Sequence, residues 1–232
     1  MTDIYYDIET NDLLSQNAPD ELAAIRAQRL TIGAAWCECH GEKIFHYPAP
    51  LTDLLLAHDR IIGFNIIRFD NTVLAFAPDN AGRKPNDGDK SQPTLRVRIP
   101  REPHALKKLL DEKSFDIQAD LESRLEHRVS LGAVAEATLG KEKNGSGPRA
   151  VVWNRIATTL RDQLPFALAD VGDNEGAQRL AELGTWFQER LEQYCMADVI
   201  LVKKIVEHGI EKRHVAFIDF ESERRVIKVQ WR

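Results

Sequence analysis

The sequence predicts an α/β protein with a mixed central sheet flanked by helices and a β-hairpin at the C-terminus. Three observations lead there. β-Prone segments over 3–9, 29–36, 43–47 and 60–65 are interleaved with short helical stretches, an order that suits a sheet covered by helices. Gly41 opens a tight turn between the second and third strands, so part of the sheet is antiparallel. Residues 215–220 and 226–231, separated by a turn at 221–225, read as a terminal hairpin.

The elements follow in order. Asp3 to Glu9 is a first strand in which Ile4, Tyr6 and Ile8 face one side and Asp7 and Glu9 the other. Asn17-Ala18-Pro19 marks a turn, and Asp20 is placed to N-cap a short helix over 21–28. Leu30, Ile32, Ala34 and Trp36 alternate along the second strand, and 43–47 returns as the third. A short helix is expected over 51–58, a buried strand over 60–65, and a helical pattern from about 68 to 76. Residues 78–103 carry Pro78, Pro85, Pro93, Pro100 and Pro103 and read as an exposed loop, with a short edge strand at 95–99 whose arginines point outward. Such a long loop reads equally as a solvated excursion or as a substrate-facing flap. Helix is expected at 104–110, a strand at 114–117 and helix again at 118–126. Ser130 N-caps a helix over 131–139 that stops at Gly140. Residues 141–149 form a flexible polar loop, and helices follow at 150–163, 174–183 and 185–208.

The bulk numbers narrow the function class. A chain of 232 residues supports one good-sized core or two small ones, and it has no repeat, low-complexity tract or linker, so a single domain over 1–232 is expected. With 43% hydrophobic and 29% charged residues it reads as a soluble globular protein, and no apolar run is long enough to span a bilayer. Without a secretory signal pattern, a cytoplasmic protein with no membrane partner is expected. Three cysteines argue against a disulfide framework. Cys37, Cys39 and His40 resemble half a zinc site, but no second Cys/His pair stands at zinc-like spacing, so the cysteines read as same-face strand residues. The net charge of -5 does not advertise nucleic-acid binding. The distribution says more: 83–101 holds six Lys/Arg against two Asp, and 203–232 eight Lys/Arg against five acids, so phosphates can still be bound through those patches and through bound metal.

Three stretches carry chemistry. Asp7 and Glu9 lie on one face of a strand end, where they are either two solvated acids or half of a site for a hard divalent cation. In Gly63-Phe64-Asn65-Ile66-Ile67-Arg68-Phe69-Asp70 a strand gives way to a helix, presenting Asn65 and Asp70 where open α/β sheets tend to place sites. The plain alternative is a first-turn Asp stabilised by the helix dipole. Tyr194 and Asp198 lie one helical turn apart, and an Asp amid Val199-Ile200-Leu201-Val202 needs a partner if it faces inward. Asp116, after the 114–117 strand, reads as a helix cap rather than a further acid.

In combination, D-x-E on the first strand, N-x-x-x-F-D, and Y-x-x-x-D on a late helix resemble the DEDDy 3′–5′ exonucleases of the RNase H-like (DnaQ-like) superfamily. The motifs span 7–198 in the family's order. Phe115-Asp116-Ile117, Arg128-Val129-Ser130-Leu131, Ala137-Thr138-Leu139-Gly140, Lys143 and Gly145-Ser146-Gly147, with a terminal hairpin ending at Trp231, are similar to a bacterial and archaeal subgroup sometimes fused to helicases. Residues 148–190 are longer than that subgroup leads one to expect.

The resemblance implies an RNase H-like mixed sheet and a two-metal site. Asp7, Glu9, Asp70 and Asp198 would hold two Mg²⁺ or Mn²⁺ ions, and Tyr194 would orient the attacking water. His208 and His214 do not stand at the position where other members use histidine. Thr10, Asn65 and Lys143 are the implied substrate contacts: main chain near Thr10 for the terminal nucleotide, Asn65 for the strand or the Asp70 loop, Lys143 for phosphate. The implied reaction releases nucleoside 5′-monophosphates from the 3′ end of single-stranded nucleic acid, DNA slightly favoured over RNA, with a helicase or polymerase as partner. The rival expectations are a non-catalytic nucleic-acid-binding module on the same fold and a metal-dependent endonuclease. Trp153, Phe166 and Trp186 could stack on bases, although aromatics at helical spacing are usually core.

Overall fold

The computed structural model describes residues 2–78, 102–143, 145 and 147–232. Five strands build the central sheet: β1 (Asp3–Thr10), β2 (Leu30–Cys37), β3 (Gly41–Phe45), β4 (Arg60–Gly63) and β5 (Ser114–Asp116). Their order is β3-β2-β1-β4-β5. β1 and β2 pair antiparallel, as do β2 and β3, whereas β4 runs parallel to β1 and β5 parallel to β4. This is the mixed sheet the sequence predicts, with β1 in the middle. A separate two-stranded hairpin, β6 (His214–Ile218) with β7 (Arg224–Lys228), ends the chain, also as expected.

Nine helices are described: α1 (Glu21–Arg26), α2 (Pro48–Leu56), α3 (Asp70–Phe76), α4 (Pro103–Lys113), α5 (Ile117–Leu125), α6 (Leu131–Leu139), α7 (Gly147–Thr158), α8 (Leu164–Asp170) and α9 (Asn174–Lys212). The alternation along β1 sorts them into two layers. Ile4, Tyr6 and Ile8 face a core shared with Ile25 of α1, Leu51 and Leu55 of α2, Val73 of α3 and Leu106 of α4. Tyr5 faces the opposite core, with Leu121 of α5, Val134 of α6, Ala150 of α7, and Tyr194, Val199 and Val202 of α9. Asp7 and Glu9 belong to the second face, so α9 crosses the sheet on the side that carries the acids.

The local signals read from the sequence act as expected at several ends. Asp20 caps α1 through Ala23 N–H (2.7 Å), and Ser130 caps α6 through Ala133 N–H (3.1 Å). α2 starts earlier than expected because Pro48 occupies a first-turn position, where its missing N–H costs nothing. The polar loop expected over 141–149 is shorter, since α7 begins at Gly147. A π-helical turn at Thr159–Gln163 links α7 to α8 just before Pro165, whose ring cannot continue a regular helix.

The two helices expected at 174–183 and 185–208 are one helix of 39 residues. Gly184 is no break. It lies buried where a Cβ would come within 2.7 Å of Arg161 N and 2.9 Å of Ala157 O, so α9 approaches the backbone of α7 and the π-helical turn closely there. Apart from its ends, the 78–103 loop lies outside the described residues, as do its 95–99 strand and the basic cluster at 83–101.

Candidate metal centre

β1 and α9 bring the sequence-distant acids together. Carboxylate oxygens of Asp7, Glu9 and Asp198 lie within 4.8 Å of one another. Glu9 and Asp198 are buried, and Asp7 is half-buried. The register between β1 and β2 shifts between Glu9 and Thr10, and such a bulge turns the strand end beside the site. Asp70 opens α3 on the neighbouring strand's exit. It is buried, and its Oδ1 accepts the Ile8 N–H (3.1 Å), which fixes it against the segment between Asp7 and Glu9. Asp70 stands beside the tight three-carboxylate group rather than within it.

So much negative charge in so little volume shifts every group. Burial, followed by repulsion from Asp198, pushes Asp7 up to about 7. Burial and the Asp7 charge push Glu9 and Asp70 well above the usual carboxylate range. Burial raises Asp198 too, against the pull of Lys143. The Lys143 ammonium reaches into the group and pairs with Asp198 Oδ2 at 2.6 Å. Burial disfavours its charge, but Asp198 and Asp7 outweigh that and hold it protonated. A cation already compensates these acids, and a divalent ion would do so with twice the charge.

Tyr194 lies one turn before Asp198, on the same face of α9. Its hydroxyl is buried and makes no hydrogen bond of ordinary geometry, although Asp198 and Lys143 stand near it. Burial raises its pKa, so it stays a neutral phenol able to donate and to accept. Its ring is fixed by Trp153, edge-on at 6.0 Å, and by Gly145, where a Cβ would come within 2.9 Å of the ring and where φ is +125°. Hard oxygen donors, a buried orphan hydroxyl and a compensating ammonium fit a hard divalent cation.

Other expected residues fall less directly on the site. The Thr10 hydroxyl donates to Asp12 O (3.2 Å), a local turn. Asn65 adopts a left-handed backbone, φ 66°, and its Oδ1 accepts from Arg128 Nη2 (2.7 Å). Its N–H donates to Asp116 (2.8 Å), which also accepts from Ile67 N–H (3.0 Å) and caps α5 through Ala119 N–H (3.3 Å). Asp116 is thus the cap that was expected and, in addition, the anchor of the turn that delivers Asp70. Cys195 is a contact that sequence reasoning missed: its thiol meets Asp7 O (3.5 Å) and Asp7 Oδ2 (3.6 Å). Its place three residues before Asp198, on the same helix face, was the available signal. Of the aromatics, Trp153 packs against the core, whereas Phe166 and Trp186 are exposed, because α8 and the first turns of α9 project a mixed outer face.

Two clefts meet at Lys143. One, of about 740 Å³, runs past Ile44, Lys141, Met196, Asp198 and Lys204. The other, of about 540 Å³, lies along Ser130, Gly132, Gly145 and Gly147.

The fold and the site together define an α/β protein with an acidic cluster able to chelate a metal ion. Family models, curated proteins and solved structures give no match to this chain. Among the described residues no helix is long and apolar enough to cross a membrane.

Proposed function

We propose that the chain is a metal-dependent 3′–5′ exonuclease of the DEDDy type, which hydrolyses phosphodiester bonds at the 3′ end of single-stranded nucleic acid. The observation that carries this reading is the convergence of Asp7, Glu9 and Asp198 beside the unpartnered Tyr194 hydroxyl. The central place of β1 in a mixed five-stranded sheet supports an RNase H-like arrangement. Asp7, Glu9 and Asp198, with Asp70 alongside, would hold Mg²⁺ or Mn²⁺. A cation bound there supplies Lewis acidity, favouring deprotonation of the attacking water and stabilising the departing 3′-oxygen.

The chain's own groups do the rest. Tyr194 offers a neutral hydroxyl that can accept from or donate to a water over the carboxylates. Lys143 shares Asp198 with any incoming cation, and its ammonium, at the meeting of the two clefts, suits a phosphate oxygen. Asp116 holds the 65–67 turn and so the approach of Asp70.

The test uses 5′-labelled single-stranded DNA and RNA of one sequence with Mg²⁺, Mn²⁺ or chelator. The expected result is a metal-dependent ladder shrinking from the 3′ end, abolished by Asp7→Ala and slowed by Tyr194→Phe. Tight binding with no digestion in either metal would make the protein a binding module. Cuts in a circular single strand would make it an endonuclease.

A further inference from the structure

A second cluster of ligand-type side chains lies on the other face of the sheet. Cys37 ends β2, and Cys39 and His40 follow in the turn to β3. Their ligand atoms lie within 4.8 Å of one another, with Cys37 Sγ and Cys39 Sγ 3.1 Å apart. The tertiary structure adds a fourth group from outside this hairpin. His58, just after α2, is buried and points Nε2 at Cys39 Sγ, 3.4 Å away. Its ring packs edge-on to His40, centroids 6.3 Å apart.

His58 is held in the tautomer that a metal ligand needs. Its Nδ1 lies 2.8 Å from Leu54 O, which can only accept, so in the neutral ring Nδ1 carries the proton and the Nε2 lone pair faces Cys39 Sγ. A backbone carbonyl on the far ring nitrogen is the usual support of a ligating histidine. Tetrahedral zinc, with Zn–S about 2.3 Å and Zn–N about 2.0–2.1 Å, places donors about 3.3–3.8 Å apart along its edges, longest between the two sulfurs. The Cys39–His58 distance is close to that range, the two sulfurs need to open by about 0.7 Å, and His58, which touches Cys39 but stands outside the tight group of Cys37, Cys39 and His40, closes the fourth corner as the exposed His40 ring swings toward it.

We propose that Cys37, Cys39, His40 and His58 form a structural zinc(II) site that pins the β2–β3 turn to the end of α2. Two thiolates and two imidazoles are soft to borderline donors, which select zinc over Mg²⁺ or Mn²⁺, whereas the Asp7 cluster is all hard oxygen. The two centres are separate: Cys37 pairs with Ile4, three residues or about 10 Å along β1 from Asp7, and both face the opposite core. Binding converts both thiols to thiolates and releases their two protons. The site does not depend on the exonuclease reading.

The test uses the full chain, reduced and stripped of metal, titrated with cobalt(II) and then zinc(II). The expected result is one thiolate-bound cobalt per chain, counted from saturation of a thiolate-to-cobalt charge-transfer band with the visible bands of tetrahedral coordination, both displaced by one zinc; cobalt taken up by the all-oxygen Asp7 cluster gives no such band. Cys39→Ser should abolish the charge-transfer band of two thiolates. His58→Gln should weaken zinc binding at least about tenfold. Cys195→Ser, which removes the third thiol, should leave the spectrum unchanged. Circular dichroism of each variant separates lost ligation from lost fold. No charge-transfer band in the reduced wild type, a band that survives Cys39→Ser, or a Cys37–Cys39 disulfide that persists under reductant would overturn the site.

Discussion

Replacing Lys143 by Met tests the electrostatics of the carboxylate group directly. The substitution keeps most of the apolar stem and removes the ammonium that sits 2.6 Å from Asp198 Oδ2. Removing one partner of a fully buried pair costs about 3–5 kcal/mol. Two features reduce that figure. The Lys143 side chain is 24% exposed, so solvent screens part of the loss. Asp7 already titrates near about 7, so the cluster can take up a proton instead of bearing its full charge. We therefore expect a loss of about 2–3 kcal/mol in chelator at neutral pH, or about 4–12 °C in Tm for a chain of this size. Saturating Mn²⁺ should reduce that loss to less than half, because the cation then compensates the same oxygens. Melting the wild type and Lys143→Met by calorimetry, each with chelator and with Mn²⁺, gives all four values. An equal loss in both conditions would refute the reasoning, since it would mean that Lys143 contributes packing rather than charge.

The remaining predictions concern pH, the turn and the long helix. In chelator, Asp7 binds a proton more tightly folded than unfolded between its ordinary 3.8 and about 7, so stability falls as pH rises through that window and levels above it, by at most about 4 kcal/mol. Asp7→Asn should flatten the fall in Tm between pH 5 and 8, and an unchanged slope would locate the titration elsewhere. Asp116→Ala leaves the N–H groups of Asn65, Ile67 and Ala119 without their acceptor and should cost about 2–4 kcal/mol in urea unfolding at constant m; a loss under 0.5 kcal/mol, roughly the scale of an ordinary surface change, would rule out the anchoring role. Gly184→Ala should destabilise by about 1–3 kcal/mol despite alanine's better helix propensity, because its Cβ meets the backbone of Arg161 and Ala157; a higher Tm would show that the helices separate freely there.

The sequence by itself determined the mixed sheet, several helix ends and the face of β1 that carries Asp7 and Glu9. Strand alternation assigned Asp7 and Glu9 to one face and Ile4, Tyr6 and Ile8 to the other, because a period of two leaves no choice once a strand forms. Asp20, Ser130 and Gly140 marked helix ends through local chemistry that needs no tertiary partner. Local rules failed where a long-range contact decided. Gly184 looks like a break until a second helix packs against it. Phe166 and Trp186 have core chemistry but lie exposed on α8 and α9, outside the two cores.

The acids were legible one by one from local pattern, and only the family resemblance, not their spacing, implied that they meet. Their meeting depends on α9 crossing β1, a contact across 188 residues of chain between Asp7 and Cys195. Lys143 was legible as a basic residue in a Gly-rich stretch, and only the folded chain assigns its ammonium to Asp198. The cysteine cluster makes the same point most sharply. Spacing offered Cys37, Cys39 and His40 as half a site and no second half. His58 enters through the packing of α2 against the sheet, and sequence spacing cannot report a ligand that arrives from another element.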